Sequence, residues 1–114
     1  MHLLVVDDDA IMLDVYKRAF NYFNITSDCV TSGSDAIEKY KKNMKIFDFI
    51  ITDYQMPKMN GVEFARAIKE INKNIGLLLV TGNDMEKPVE FVGMMTKPVL
   101  ISELIQKVLD CCKK

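Results

Sequence analysis

Short apolar runs alternate with helix-like patterns along the whole chain. The runs at residues 3–6, 49–51 and 77–80 are apolar throughout, which is typical of strands buried on both faces of a parallel sheet. Weaker runs at 28–31 and 91–95 complete a predicted set of five strands. Because strands and helices alternate, the pattern predicts right-handed βαβ units and a parallel sheet covered by helices on both faces.

The helical stretches show apolar residues at intervals of three and four. Asp9 is predicted to cap the first helix, and Ser32 or Ser34 the second, because their side chains can accept backbone N–H bonds. The predicted apolar faces are Met12, Val15, Tyr16, Ala19 and Phe23; then Ala36, Ile37, Tyr40 and Met44; then Val62, Ala65, Ile68 and Ile71; and last Ile101, Leu104, Ile105, Val108 and Cys112.

One interval breaks the alternation. Between Val80 and Phe91 lie ten residues, with Gly82 near the start and Pro88 in the interior. This interval is too short for a crossover helix and its two loops. We therefore expect five strands and four full helices, with only a turn or a 3₁₀ segment between the last two strands.

Composition narrows the class of protein. The 114 residues fit one domain spanning 1–114, and fifteen Lys and Arg against sixteen Asp and Glu give a net charge of −1, which argues against a nucleic-acid or membrane-surface binder. No run suggests a signal peptide or a membrane span. Cys29, Cys111, Cys112 and a single His2 signal neither a disulfide framework nor a zinc site, so we expect a cytoplasmic protein.

Polar side chains end the predicted strands. Asp7 and Asp8 follow the first strand, Asp53 ends the third, Thr81 the fourth and Lys97 the fifth. The carboxyl ends of parallel strands share one edge of the sheet, so these groups should converge although they span about ninety residues.

Such a cluster of carboxylates predicts a metal site. The carboxylates repel one another, and a hard cation with oxygen ligands and retained waters, Mg²⁺, relieves that repulsion. Asp8 and Asp53 are candidate direct ligands, and Asp7 could act through a bound water. Lys97 adds a positive charge and Thr81 a hydroxyl donor, which suits a phosphoryl group in transfer. Asp53 could then serve as the nucleophile and form an aspartyl phosphate.

Four motifs in order resemble the receiver domain of two-component response regulators. They are Val-Val-Asp-Asp-Asp at 5–9, Ile-Thr-Asp-Tyr-Gln-Met-Pro-Lys-Met-Asn-Gly at 51–61, Val-Thr-Gly at 80–82 and Thr-Lys-Pro at 96–98. The resemblance covers nearly the whole chain, which looks like a single receiver domain of the chemotaxis-regulator type. It implies a flavodoxin-like, doubly wound, five-stranded parallel sheet with strand order 2-1-3-4-5, here with the fourth helix of the family shortened or absent.

The resemblance also implies roles for the clustered residues. Asp53 would be the phosphoacceptor, Asp7 and Asp8 would arrange Mg²⁺, and the backbone carbonyl of Gln55 would be a further ligand. Thr81 would sense the phosphoryl oxygen. Lys97 would pair with it, and the bond from this lysine to the following proline would be cis, as is usual in the family.

Two positions would tune rates, and another departs from the family pattern. Gln55 and Asn83 occupy places that influence hydrolysis of the phosphoryl group in the family. The family normally has an aromatic residue three positions before the lysine, where this chain has Met94. Together with the short stretch from Thr81 to Lys97, this departure means that the usual threonine–aromatic switch is not expected in complete form.

The leading functional hypothesis is a phosphorylation switch. The domain would accept a phosphoryl group from a histidine kinase or histidine phosphotransfer protein and change its affinity for an unknown downstream protein, with no enzymatic activity beyond its own phosphorylation and dephosphorylation. With no room for an effector domain, output would be through protein contacts unless the chain comes from something longer. The alternative is a receiver-like scaffold that is not phosphorylated.

Two other classes fit less well. An aspartyl-phosphate phosphatase needs an acid two residues after its nucleophile, where this chain has Gln55. A flavodoxin-like cofactor binder should offer donors to a phosphate in its first loop, whereas Asp7, Asp8 and Asp9 would repel one.

Overall fold

The computed structural model describes residues 1–112, and residues 113–114 lie outside the described part. The strands and helices, in chain order, are β1 His2–Val6, α1 Ala10–Tyr22, β2 Thr26–Val30, α2 Gly33–Lys42, β3 Phe49–Asp53, α3 Gly61–Ile71, β4 Gly76–Thr81, β5 Gly93–Thr96 and α4 Ile101–Cys112, with a 3₁₀ turn at Met44–Ile46. The five strands form a central parallel sheet with order β2-β1-β3-β4-β5, which confirms the predicted fold class.

Two apolar layers cover the sheet. Alternate strand residues point to opposite faces, so Leu3 and Val5 pack against α1 and α4, whereas Leu4 and Val6 pack against α2 and α3. Strand β3 is buried along its full length, and β1 is buried in all but its first residue, His2, as their unbroken apolar runs predict. Within residues 1–112, no helix is both long enough and apolar enough to cross a membrane.

The segment between β4 and β5 contains no helix, as the sequence predicts. Phe91 is 2% exposed and fills part of the layer on the α2 and α3 side of the sheet, together with the half-buried Met85 and Met94. The segment therefore covers this end of the sheet with individual side chains instead of a helix face.

Three local predictions need correction. The fifth strand is Gly93–Thr96 and not 91–95, because these residues pair with Leu78 to Thr81 of β4 while Phe91 turns into the core. The second strand begins at Thr26, two residues earlier than predicted, because it pairs with all of β1.

The buried face of α1 also differs from the predicted one. The helix buries Leu13, Tyr16 and Phe20, whereas Val15 and Phe23 are 41% and 52% exposed. Apolar residues cover a wide arc of this helix, opposite a polar stripe at Asp14, Lys17, Arg18 and Asn21. Periodicity therefore excludes the polar side but does not fix which part of the apolar arc faces the sheet.

Candidate functional site

The candidate site lies at the carboxyl edge of the sheet, where the sequence places it. Carboxylate oxygens of Asp7, Asp8 and Asp53 all lie within 4.8 Å of one another. Lys97 Nζ is 3.0 Å from Oδ1 of Asp53. Gln55 and Gly82 complete the lining of a cavity of about 430 Å³ around these groups. The strands thus bring together residues from both ends of the sequence.

The first loop holds Asp7 and Asp9 in fixed orientations. Asp7 directly follows β1, and its Oδ1 accepts a hydrogen bond from the backbone N–H of Asp9 at 2.9 Å. Asp9 caps α1 as predicted, since its Oδ1 accepts from the N–H groups of Ile11 and Met12. Asp9 is therefore engaged in the helix cap, and Asp7 faces the cluster from a buried position.

The loop after β3 is fixed by the start of α3. Asn60 accepts hydrogen bonds from Val62 and Glu63, and Glu63 accepts from the N–H of Asn60, which makes a capping box. Gly61 packs so close to the backbone oxygen of Asp53 that a Cβ would collide with it. A glycine at this position therefore lets α3 begin directly beside Asp53.

Burial perturbs the electrostatics of the cluster. Asp7 is 3% exposed and Asp53 is 6% exposed, whereas Asp8 is exposed at the rim. The pKa of Asp7 is raised from 3.8 to about 6, and burial is the largest cause. The charges of Asp53 and Asp8 contribute to this rise, while the Asp9 amide and Lys97 oppose it.

The positive charge of Lys97 partly neutralises the three carboxylates. Burial opposes that charge, but the hydrogen bond and the attraction from Asp53, with the charges of Asp7 and Asp8, outweigh burial, so the pKa of Lys97 is raised. The lysine side chain is 40% exposed, so it closes the cluster from the solvent side. The peptide bond from Lys97 to Pro98 is cis.

The predicted switch residues occupy different places around the cluster. Thr81 is fully buried at the end of β4, and its backbone oxygen accepts from the N–H of Lys97 at 2.8 Å. Its hydroxyl is bonded within its own segment and not to Asp53. Asn83 and Gln55 are exposed beside the site, and Met94 is half-buried on β5.

Two neighbours of the site were not predicted from the sequence. Tyr16 lines an adjoining cavity with Lys97; burial raises the pKa of its phenol to about 12, with the charges of Asp7, Asp53 and Asp9 adding to the shift. Sδ of Met85 accepts a hydrogen bond from the Thr81 hydroxyl. Helical periodicity marked Tyr16 only as a core residue, and no local pattern distinguishes Met85 from the other seven methionines.

Comparisons with known proteins agree with this geometry. Two-component response regulator 24 of Arabidopsis thaliana is 31% identical over 109 residues, which cover 90% of this chain and 77% of the relative. The autoinducer 1 sensor kinase/phosphatase LuxN of Vibrio campbellii is 27% identical over 107 residues, but the match spans 90% of this chain and only 12% of LuxN.

Solved structures share the fold. A chain of the CheX–CheY–BeF3–Mg complex from Borrelia burgdorferi superposes with a TM-score of 0.93 at 24% identity, over 100% of this chain and 90% of that chain. The response regulator receiver domain family matches residues 3–109, and a member of this family is typically a signalling domain. The chain therefore belongs to the receiver domain family of two-component response regulators.

Proposed function

We propose that this domain accepts a phosphoryl group on Asp53 and thereby switches its affinity for a partner protein. The observation that carries the proposal is the cluster of three carboxylates within 4.8 Å, with a lysine ammonium 3.0 Å from the central one. A buried carboxylate beside a fixed cation is suited to receive a phosphoryl group. The backbone hydrogen bond from Lys97 N–H to the oxygen of Thr81 keeps these two residues side by side at the same edge, which supports this assignment.

The residues at this edge fit Mg²⁺. They offer only oxygen donors, and the raised pKa of Asp7 reflects burial and unrelieved repulsion that a divalent cation would offset. Asp8, Asp53 and the backbone carbonyl of Gln55 would hold the ion, and Asp7 would act directly or through a bound water. Mg²⁺, when bound, would neutralise charge on the oxygens of the group in transfer.

Phosphoryl transfer to Asp53 uses side chains of this chain. An oxygen of the Asp53 carboxylate attacks the phosphorus of a phosphohistidine, the P–N bond breaks, and its electron pair returns to the imidazole. An acyl phosphate forms on Asp53, and Lys97 pairs with its new negative charge. Hydrolysis reverses the modification when water attacks the phosphorus and the Asp53 carboxylate leaves; the exposed Gln55 and Asn83 flank this position and would influence that rate.

The partners follow from this chemistry. The donor would be a histidine kinase or a histidine phosphotransfer protein, which agrees with the similarity to a segment of the sensor kinase LuxN. The output would be a change in binding to a downstream protein, with no nucleic-acid or membrane contact by this domain. The free thiols of Cys29, Cys111 and Cys112 support a cytoplasmic setting.

Two observations favour the alternative of a scaffold that is not phosphorylated. The segment between β4 and β5 lacks a helix, and Met94 stands where the family normally has an aromatic residue. The intact carboxylate cluster argues against this alternative, because a scaffold gains nothing from keeping three mutually repelling groups together.

Phosphorylation with a small donor tests the proposal. The domain is incubated with Mg²⁺ and phosphoramidate, which also transfers its group from a P–N bond, and its intact mass is followed. We expect one phosphoryl group, removable by hydroxylamine as an acyl phosphate requires. Asp53→Asn should abolish the mass increase, and Asp14→Asn, which changes an exposed carboxylate on α1, should not.

Backbone NMR gives a second test that does not depend on the lifetime of the phosphoryl group. Beryllofluoride with Mg²⁺ should shift resonances around Asp53, Thr81 and Lys97 in the natural sequence but not in Asp53→Ala. Binding of Mg²⁺ with no response to either reagent would favour the scaffold.

A further inference from the structure

The hydroxyl of Thr81 is committed to its own segment. Its Oγ1 accepts the backbone N–H of Asn83 at 2.9 Å and donates to Sδ of Met85 at 3.7 Å. Thr81 is fully buried, so no solvent competes for this hydrogen. Because a hydroxyl has one hydrogen to donate, Thr81 cannot serve a phosphoryl oxygen while it is bonded to the sulfur.

Met85 is the inward anchor of the first half of the segment between β4 and β5. Met85 is half-buried and packs against the apolar layer that contains Phe91, whereas the other five residues of the stretch 82–87 are all exposed. The second half has other attachments, since Phe91 is buried and Glu90 pairs with Arg66 at 3.1 Å. Lys87 Nζ also donates to the backbone oxygen of Phe91 at 2.7 Å. The position of residues 82–86 therefore depends on the contact that Met85 makes beneath them.

We propose that Met85 is a positioning residue that holds the Thr81 hydroxyl away from the acceptor until phosphorylation. This inference rests on the proposed function. A thioether is a weak hydrogen-bond acceptor, whereas a phosphoryl oxygen on Asp53 is anionic and a much stronger one. The hydroxyl therefore leaves Met85 when the phosphoryl group arrives, and the thioether loses its polar partner.

The release of Met85 carries the signal to the surface. Residues 82–87 lose one of the contacts that hold them, while Phe91 and the Arg66–Glu90 pair keep the second half in place. The surface that changes is thus residues 83–86, because Lys87 stays bonded to the backbone oxygen of Phe91. This arrangement transmits the state of Thr81 along its own segment, so that neither a helix nor an aromatic at the position of Met94 is required.

Two substitutions at Met85 should change beryllofluoride affinity in opposite directions. Met85→Leu keeps an apolar side chain of similar size but removes the acceptor, so Thr81 is freed. Binding should tighten about two- to fivefold, the lower part of the range for one net hydrogen bond, because a thioether is a weak acceptor. Met85→Gln supplies an amide oxygen, a stronger acceptor, and should weaken binding by about the same factor. Affinity is measured by NMR titration at fixed Mg²⁺.

Controls separate positioning from packing. Met44→Leu changes another half-buried methionine that packs against the same apolar layer, in the 3₁₀ turn Met44–Ile46, and should leave affinity unchanged. In a Thr81→Val background the Leu and Gln variants should become equal, because the hydroxyl they compete for is gone. Shifts of the same sign in both variants, or a difference that persists in that background, would overturn the role of Met85.

The unsubstituted protein offers a test that does not depend on variant folding. With ¹³C-methyl methionine, beryllofluoride should move the Met85 methyl resonance and leave that of Met44 in place. An unmoved Met85 methyl in a protein that binds beryllofluoride would refute the inference alone. A protein that shows no beryllofluoride response at all would refute the proposed function, and this inference with it.

Discussion

Replacing Asp7 by Asn should stabilise the metal-free protein. Burial raises the pKa of Asp7 from 3.8 to about 6, and each pKa unit corresponds to about 1.4 kcal/mol, so keeping this carboxylate ionised costs the folded state about 3 kcal/mol at neutral pH. Asn keeps the shape and can still accept the Asp9 N–H. We expect a gain of about 2–3 kcal/mol in the free energy of unfolding and about 8–12 °C in Tm.

The pH dependence of this gain has a definite sign. The folded state binds the Asp7 proton more tightly than the unfolded chain does, so the stability of the natural protein falls as pH rises from about 4 to 6. The advantage of Asp7→Asn should therefore be small near pH 4 and complete near pH 7.5. Urea denaturation of both proteins across this range in EDTA measures the difference directly.

Mg²⁺ should narrow the difference in stability between the two proteins. At about ten times its Kd, Mg²⁺ should add about 1.4 kcal/mol to the natural protein and little to Asp7→Asn. Asp8→Asn is the matched control, because Asp8 belongs to the same cluster but is exposed, so its change in metal-free stability should be much smaller. An Asp7→Asn variant no more stable than the natural protein in EDTA at pH 7.5 would refute the argument from buried charge.

Three further substitutions test other parts of the site. Lys97→Met should destabilise the metal-free protein by about 1–2 kcal/mol in urea denaturation, because Asp53 loses its partner. A Mg²⁺ titration should show tighter binding, since a positive charge beside the cation is removed. Weaker binding would contradict the assigned electrostatics. Asn60→Ala removes the helix cap and should cost about 1 kcal/mol; an unchanged urea midpoint would show that the box contributes nothing. Gly61→Ala should lower both the free energy of unfolding and the affinity for Mg²⁺, since the added Cβ collides with the backbone of Asp53. A loss of stability with unchanged Mg²⁺ affinity would mean that the loop relieves the collision without moving Asp53.

The sequence by itself determined the elements and the edge where the site lies. Fully apolar runs mark strands buried on both faces, and the polar residue that ends each run lies at the carboxyl edge, so the convergence of Asp7, Asp53 and Lys97 follows from parallel topology. The missing helix follows from the ten residues available between Val80 and Phe91. These features depend on local pattern and chain length, which one sequence contains in full.

Only the tertiary structure decided how each of these side chains is placed. Asp7 and Asp8 are adjacent and identical in type, yet one is buried and the other exposed, because burial depends on which elements pack over the strand end. The same dependence buries Phe20 and exposes Phe23 at the end of α1, where both residues belong to one wide apolar arc. The bond between Thr81 and Met85 exists because a segment without regular periodicity folds back over β4, and that path is set by contacts with the packed layer, which the local sequence does not specify.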